Sequence, residues 1–273
     1  YAKLLEHTNP VVNEVALQQI SNHPKKNPAF DQVIIDRIVE NEKKSSTVRL
    51  SGIIALNDRS PYMTLTDFLA EGNPYALAKK LRIYQEEMAP DAYLQTIEKY
   101  ISGQNRMEKL FAAEGLSGWW KELSTAQQTS ARKKIAKALV FQLLGNNDRS
   151  ITYVTVPFMQ SSGLMKADDY PKLKKALQAY KLPEDIEVYQ IFGELFKEQF
   201  EAQANPLIDS LAQKGNAALN HFLVGIGWDI PDTPKPKTTF RTPNWDRLTE
   251  LGPAPIWVLE PKKGRIKREM DVL

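Results

Sequence analysis

The sequence predicts a mainly α-helical protein, and three observations support that fold class. Asparagine–proline pairs punctuate the chain, and an asparagine N-cap followed by a proline in the first turn is a typical helix start. Apolar residues then recur at spacings of three and four, as on one face of a helix. Finally, 42% of the 273 residues are hydrophobic, which is enough for one large core or two modest ones.

Helix starts of the first kind are expected at four places, Asn9-Pro10, Asn27-Pro28, Asn73-Pro74 and Asn205-Pro206. The helix after Asn9-Pro10 has the periodic residues Val11, Val12, Val15 and Ile20. The helix after Asn205-Pro206 has Gly215 near its middle, which weakens the prediction of a continuous helix.

Capping chemistry predicts two further helices. Ser124 to Gln127 fits a capping box, in which a serine and a glutamine satisfy each other's backbone N–H groups, and the helix that it opens ends near Gly145. Pro183 begins the next helix, with acidic residues in the first turn where the helix dipole favours them. The first 60 residues resemble short helices in tandem, similar to HEAT-type solenoids, at a spacing too irregular to name a family.

A tetrapeptide is repeated: Asn57-Asp58-Arg59-Ser60 returns as Asn147-Asp148-Arg149-Ser150, each time after an apolar stretch. The repetition predicts a cryptic duplication in a helical domain of residues 1–229, with pseudo-repeats at about 45–100 and 135–200. Arg59 and Arg149 are candidate contacts for two equivalent partner surfaces. The structural alternative, which we favour, is that the asparagine and aspartate close one helix and cap the next element.

One short β hairpin or small sheet is also expected. Ile151 to Val156 alternates and is rich in β-branched residues, which favours a strand, and Pro157 limits it to an edge. Tyr62 to Thr66 is a weaker counterpart after the first tetrapeptide, and it could instead lead into a helix at Asp67. We expect the two stretches to pair across the pseudo-repeat.

Residues 230–273 differ from the rest, because seven prolines exclude helices and central strands. Large apolar groups are nevertheless spread through this segment, among them Phe240, Trp245 and Trp257. A solvated tail would not carry so many. The sequence therefore predicts an extended Pro-rich C-terminal arm that lies on its own helical domain or on a neighbouring subunit.

Composition and motifs argue against several chemistries. The chain has no cysteine, which excludes disulfides and thiolate sites, and its three histidines lack metal-ligand spacing. Phosphate-binding glycine loops and the G-x-S-x-G elbow are absent. We therefore expect no metal and no cofactor. Carboxylates are the catalytic groups in supply, as Glu86-Glu87 and as Glu194, Glu198 and Glu201, and a solvated helix face is the more common explanation for them.

Trp119-Trp120 is a candidate partner contact. Adjacent helical residues point about 100° apart, so we expect one ring to pack inward and the other to meet a second surface. The alternative is a helix–helix junction filled by both rings.

Five cations between Lys262 and Arg268 form the densest basic cluster, and neighbouring acids favour a solvated terminal segment there.

The sequence thus favours a non-enzymatic protein-interaction or scaffold subunit of a larger assembly, with a protein partner or as a homo-oligomer. Because the chain begins with Tyr1 rather than Met and lacks cysteine, we expect a processed chain or a piece of a longer protein, with a bacterial envelope or secretion-type complex in the periplasm slightly favoured. No stretch approaches the length of a transmembrane segment. Two alternatives stay open: a glycan-cleaving enzyme using Glu194 or Glu198 as acid, and a nucleic-acid or anionic-lipid binder using the basic C-terminus. The net charge of +3 makes nucleic acid the weaker partner class.

Overall fold

Helices account for the fold throughout the first of two structural units, Tyr1–Thr233 and Pro234–Leu273. The computed structural model describes residues 1–23 and 28–230, together with the backbone of Ile256–Leu259 and Ile266–Glu269. The prediction of a mainly α-helical chain is confirmed. The described helices are α1 (Ala2–Leu5), α2 (Pro10–Ser21), α3 (Ala29–Ile34), α4 (Ser46–Ala55), α5 (Met63–Ala70), α6 (Pro74–Glu87), α7 (Pro90–Ser102), α8 (Arg106–Glu122), α9 (Ser130–Leu144), α10 (Arg149–Ser162), α11 (Tyr170–Leu177), α12 (Ile186–Gln199), α13 (Glu201–Gln213) and α14 (Ala217–Gly225).

Asparagine caps start several of these helices as predicted. The side chain of Asn9 accepts the backbone N–H of Val11 at 2.9 Å, and Asn73 accepts that of Tyr75 at 3.2 Å. Each cap satisfies an N–H group that has no partner within its helix. Of the predicted start at Asn27-Pro28, the asparagine lies outside the described residues, and α3 begins just after the proline.

Two predicted helix starts are wrong, and the weak point predicted at Gly215 is a break between two helices. Asn205-Pro206 lies inside α13, which begins at Glu201. The glutamine of the capping box accepts the N–H of Ser124 at 2.9 Å but closes an isolated turn, and Thr129 caps α9 instead. Gly215 lies between α13 and α14. Its φ of 71° is in the left-handed region, which ends a helix and which glycine adopts more easily than residues with a Cβ.

The predicted pairing of two strands after the tetrapeptides is also wrong. Ile151 to Val156 belongs to α10, in which Thr155 Oγ1 donates to the carbonyl oxygen of Ile151 at 2.7 Å. Tyr62 to Thr66 belongs to a 3-10 turn and to α5. Four β-branched residues lie on the buried face of α10, namely Ile151, Thr152, Thr155 and Val156. The packing of that face outweighs the preference of β-branched residues for strands.

The second unit has a described strand pair of its own. The strands β1 (Ile256–Leu259) and β2 (Ile266–Glu269) run antiparallel, with Ile256 opposite Glu269 and Leu259 opposite Ile266. This pair lies within the segment predicted as an arm, not in the stretches where a hairpin was expected.

Packing in the first unit follows the order of the helices. The even-numbered helices form a row, in which each one from α2 to α14 contacts the next even-numbered helix. The odd-numbered helices connect members of the row and lie beside them. Within residues 1–23 and 28–230, the main helix contacts join helices no more than two apart in the sequence. Each even-numbered helix contributes buried apolar residues to the core, for example Leu17, Ile53, Leu81, Leu116, Val156 and Phe192.

Some helices approach each other so closely that a side chain in place of a glycine would force its neighbours to shift. A Cβ on Gly52 of α4 would lie 2.6 Å from Cγ2 of Ile38, in the π-helical turn that continues α3. A Cβ on Gly115 of α8 would lie 3.1 Å from Cδ1 of Ile97 in α7. Small residues thus fix how the odd-numbered helices lie against the row.

None of the described helices has both the length and the apolar character that crossing a bilayer requires.

Candidate functional site

The first copy of the repeated tetrapeptide joins α4 to α6. The guanidinium of Arg59 is buried, donates to the carbonyl oxygen of Ile54 at 2.7 Å and pairs with the carboxylate of Glu86. The backbone N–H of Ser60 donates to Oδ1 of Asp58 at 3.1 Å. The contacts of the Arg59 guanidinium thus join α4 to α6.

The second copy caps α10. Asp148 accepts the backbone N–H of Ile151 at 3.0 Å and pairs with Arg106. Burial alone would raise the pKa of Asp148, but the hydrogen bonds from Arg106 and from the backbone lower it. The side chain of Arg149 is 56% exposed and pairs with Asp185.

Both copies therefore form corners between consecutive helices, but the corners run in opposite directions. The first leads from a helix of the row, α4, to α5 beside it, whereas the second leads from α9 into α10 of the row. Arg59 and Arg149 consequently occupy different positions in the fold, one buried and the other half exposed.

Both tryptophans of the Trp119-Trp120 pair lie inside the core. They are 3% and 2% exposed. Trp119 packs against Tyr93 of α7 with ring centroids 5.6 Å apart, and Trp120 packs against Phe158 of α10 at 6.4 Å. The indole N–H of Trp120 donates to the carbonyl oxygen of Ser162 at 3.3 Å. Because adjacent residues on a helix point about 100° apart, the two rings pack against two different helices of the same unit, α7 and α10.

The remaining predicted partner contacts cannot be located in the same way. Phe240 and Trp245 lie outside the described residues, as do Lys262 and Lys263 of the basic cluster. Trp257 is described by its backbone alone, in β1.

An open cleft crosses α2, α4 and α6 on one face of the row, and we call it the α2–α6 groove. Its volume of about 660 Å³ is typical of ligand sites. Val11 and Val15 line it and are 64% and 52% exposed, whereas Leu17, Val48 and Ile54 line it from buried positions. The groove thus combines an exposed apolar rim with a buried apolar floor.

A polar cluster inside the groove links its three helices. Nζ of Lys79 lies 2.6 Å from Oε2 of Glu14, and the hydroxyl of Ser51 donates to the same oxygen at 2.6 Å. Lys79 also donates to the hydroxyl of Ser51. A serine nucleophile needs a neighbouring base with a free lone pair. A lysine ammonium that donates to a carboxylate lacks one, so Lys79 does not act as such a base for Ser51.

A second cavity of about 530 Å³ lies between the ends of α6 and α8. Arg82 lines both cavities, so the two adjoin along the row. Side-chain amides recur along them, with Gln18 and Asn22 in the groove and Gln85 and Gln127 in the second cavity. The two cavities together offer apolar, amide and charged groups from four successive helices of the row.

No family model, curated protein or solved structure matches this chain. The function therefore has to be inferred from the groove and from the surface chemistry of the described helices.

Of the carboxylates considered for catalysis, Glu86 lines the second cavity, where it pairs with Arg59. Glu194 and Glu198 lie on α12, away from both cavities, and Glu201 pairs with Lys197. Burial raises the pKa of the Glu114 carboxyl on α8, but Glu114 does not line the groove either. Among the described residues, no group of His, Asp and Glu side chains is arranged to hold a metal ion.

A buried lysine occupies a separate site between α5, α6 and α7. Lys80 pairs with Asp67 and donates to the hydroxyl of Tyr100 at 3.1 Å. Its ammonium lies 5.2 Å from the ring centroid of Tyr84, within the range of a cation–π contact. Burial alone would lower the pKa of Lys80, but these hydrogen bonds raise it. Burial also raises the pKa of Tyr84, helped by its hydrogen bond to Asp67.

Sequence reasoning missed the groove. Val11 and Val15 have the spacing of a core-facing stripe, and they lie instead on the exposed side of α2. Glu14, Ser51 and Lys79 are far apart in the sequence and belong to no motif. The polar pair Asn13-Glu14 between Val11 and Val15 is the signal that could have indicated the groove. Asn13 is buried at this turn of α2, and the valines on either side of it are exposed.

Proposed function

We propose that the helical unit is a protein-interaction scaffold that holds an extended segment of a partner protein in the α2–α6 groove. The observation that carries the proposal is the exposure of Val11 and Val15 on the rim of a cleft that continues across α4 and α6 to Arg82. Exposed apolar side chains beside a concave, partly polar surface are typical of interaction sites.

The row of helices supports this role. Contacts between successive helices of the row are the principle of helical solenoids, which use the resulting extended surface to bind other proteins. A row that continues from α2 to α14 has room for a binding site longer than one cavity.

The lining favours a peptide in extended conformation. Amide side chains both donate and accept hydrogen bonds, so Gln18 and Gln85 can match the alternating N–H and C=O groups of a peptide backbone. The exposed valines supply a place for apolar side chains of the partner. Glu14 and Lys79 place both signs of charge in the groove, which argues against a polyanion there.

The test is a selection of binding peptides. Random peptides of about ten residues, which extend over roughly 33 Å, are selected on the intact chain, and their Kd is measured by fluorescence anisotropy. Val15→Asp places a charge on the rim of the groove, and we expect it to weaken the selected peptides about tenfold or more. Val224→Asp is the matched control, because Val224 is 53% exposed on α14 and Val15 is 52% exposed.

We expect the control to change the Kd by less than about twofold, as for a surface substitution outside an interface. An equal loss of affinity in both variants, or peptides whose Kd is unchanged by Val15→Asp, would show that the groove is not the binding site.

A further inference from the structure

Charge is strongly segregated along the helices. Residues 130–181, which contain α9 to α11, include ten Lys or Arg and three Asp or Glu. Residues 182–230, which contain α12 to α14, include two Lys and eight Asp or Glu. A chain with a net charge of +3 thus has one strongly basic section beside an acidic one. Such a concentration of one sign creates a field that attracts an oppositely charged surface.

Both arginines and two of the three acidic residues of the basic section take part in ion pairs. Arg132 pairs with Asp91, and Arg149 pairs with Asp185. Asp148 pairs with Arg106, and Asp169 pairs with Lys137. The excess charge of this section is therefore carried by lysines. Six of them are exposed and make no ion pair with another described residue, namely Lys133, Lys134, Lys166, Lys172, Lys175 and Lys181.

Contacts between α9 and α11 bring these lysines onto neighbouring helices. The Lys137–Asp169 pair joins α9 to the turn before α11. Further along, the ammonium of Lys172 lies 5.2 Å from the ring centroid of Phe141. Lys133, Lys137 and Phe141 are four residues apart in turn and therefore share the side of α9 that faces α11. We call the exposed lysines of α9, α11 and the turn between α10 and α11 the α9–α11 basic surface.

We propose that the α9–α11 basic surface binds an anionic lipid bilayer. Lysine is a hydrated point charge that suits a diffuse layer of headgroups, whereas nucleic-acid recognition relies on arginine forks and stacked aromatic rings. Here the arginines are paired, and the ring of Phe141 on α9 is covered by Lys172. This inference is independent of the groove.

The test is sedimentation of the full chain with vesicles of phosphatidylcholine, with and without about 30% phosphatidylserine, in about 0.1 M salt. The variant Lys133→Gln/Lys134→Gln/Lys172→Gln/Lys175→Gln removes four charges from the surface. The control Lys3→Gln/Lys43→Gln/Lys121→Gln/Lys214→Gln removes four exposed lysines elsewhere and has the same net charge.

We expect the intact chain to bind the anionic vesicles alone, the surface variant to lose at least about tenfold in partition coefficient, and the control to lose less than about threefold. The melting temperature of each variant should stay close to that of the parent. Three results would overturn the proposal: no binding to anionic vesicles, equal losses in the two quadruple variants, or tighter binding to a duplex oligonucleotide than to vesicles at the same salt.

Discussion

The guanidinium of Arg59 donates a hydrogen bond of 2.7 Å to the carbonyl oxygen of Ile54, in the last turn of α4. The same side chain pairs with Glu86 of α6. Arg59 is buried, so its bond to the Ile54 carbonyl oxygen is shielded from water, whereas the Glu86 side chain is 46% exposed. The two contacts tie two successive helices of the row together. The first tetrapeptide thus acts as a structural link between helices.

We expect Arg59→Ala to lower the free energy of unfolding by about 2–4 kcal/mol, since it leaves a buried carbonyl oxygen without its donor and opens a cavity. Arg149→Ala alters the same tetrapeptide position in the second copy. The side chain of Arg149 is half exposed, and the buried carboxylate of Asp185 keeps the backbone N–H of Lys181 as a donor at 2.8 Å, so the loss should be about 1 kcal/mol or less. Urea unfolding of the two variants measures the difference, and similar losses in both would contradict the buried role of Arg59.

Gly52 should tolerate no side chain. Gly52→Ala places a Cβ 2.6 Å from Cγ2 of Ile38, so the helices must move apart, and we expect a loss of about 1–3 kcal/mol. Gly225→Ala is the control, because a Cβ there meets nothing within 4 Å, and alanine favours the helix. Thermal unfolding should therefore show a lower Tm for the first variant and an unchanged or higher Tm for the second.

Asp148 should stabilise α10 by capping it and by pairing with Arg106. We expect Asp148→Ala to cost about 1–2 kcal/mol, and Asp148→Asn to cost less, because an asparagine also caps a helix. The folded state lowers the pKa of Asp148, so its charge contributes stability above the ordinary pKa and loses that contribution as the pH falls through the folded value.

The difference in unfolding free energy between the parent and Asp148→Asn should therefore shrink below about pH 4. Chemical unfolding at a series of pH values measures it, and a difference that stays constant into acid would exclude the ion pair as its source.

The Asp67–Lys80 pair should behave as a buried charge with a required partner. Asp67→Asn leaves the Lys80 ammonium with weaker partners, and we expect it to cost about 1–3 kcal/mol. Lys80→Met removes the charge at similar volume and should cost less, because it also removes the need for a partner. A larger loss for Lys80→Met would contradict this account.

The alkaline side gives a second test of that pair. The folded state raises the pKa of Lys80 above 10.5, so the lysine contributes its full stability below that pH and loses it as the pH rises through the folded pKa. Buried tyrosines such as Tyr84 add a similar alkaline loss. The parent should therefore lose more stability than Lys80→Met above about pH 10.5, as measured by urea unfolding.

Local chemistry made part of this fold predictable. Asn9 and Asn73 start helices because their side chains meet N–H groups two residues away, and nothing distant competes with that contact. Pro206 did not start a helix, because the residues before it already form the first turn of α13. The prediction of a strand at Ile151 to Val156 was wrong, because the strand preference of these residues is weak compared with the stabilisation gained by burying one face of α10.

The candidate site was not predictable in this way. Helical spacing shows that Val11 and Val15 share a face, but it does not show whether another helix covers that face. The contact between Lys79 and Glu14 joins residues 65 positions apart, and only the packing of α2, α4 and α6 brings them together.

The most direct test of the scaffold proposal is methyl NMR of the valines during titration with a selected peptide. We predict that the methyl signals of Val11 and Val15 shift in proportion to the bound fraction, and that those of Val224 stay in place. Shifts at Val224 with unchanged signals from Val11 and Val15 would contradict binding in the α2–α6 groove.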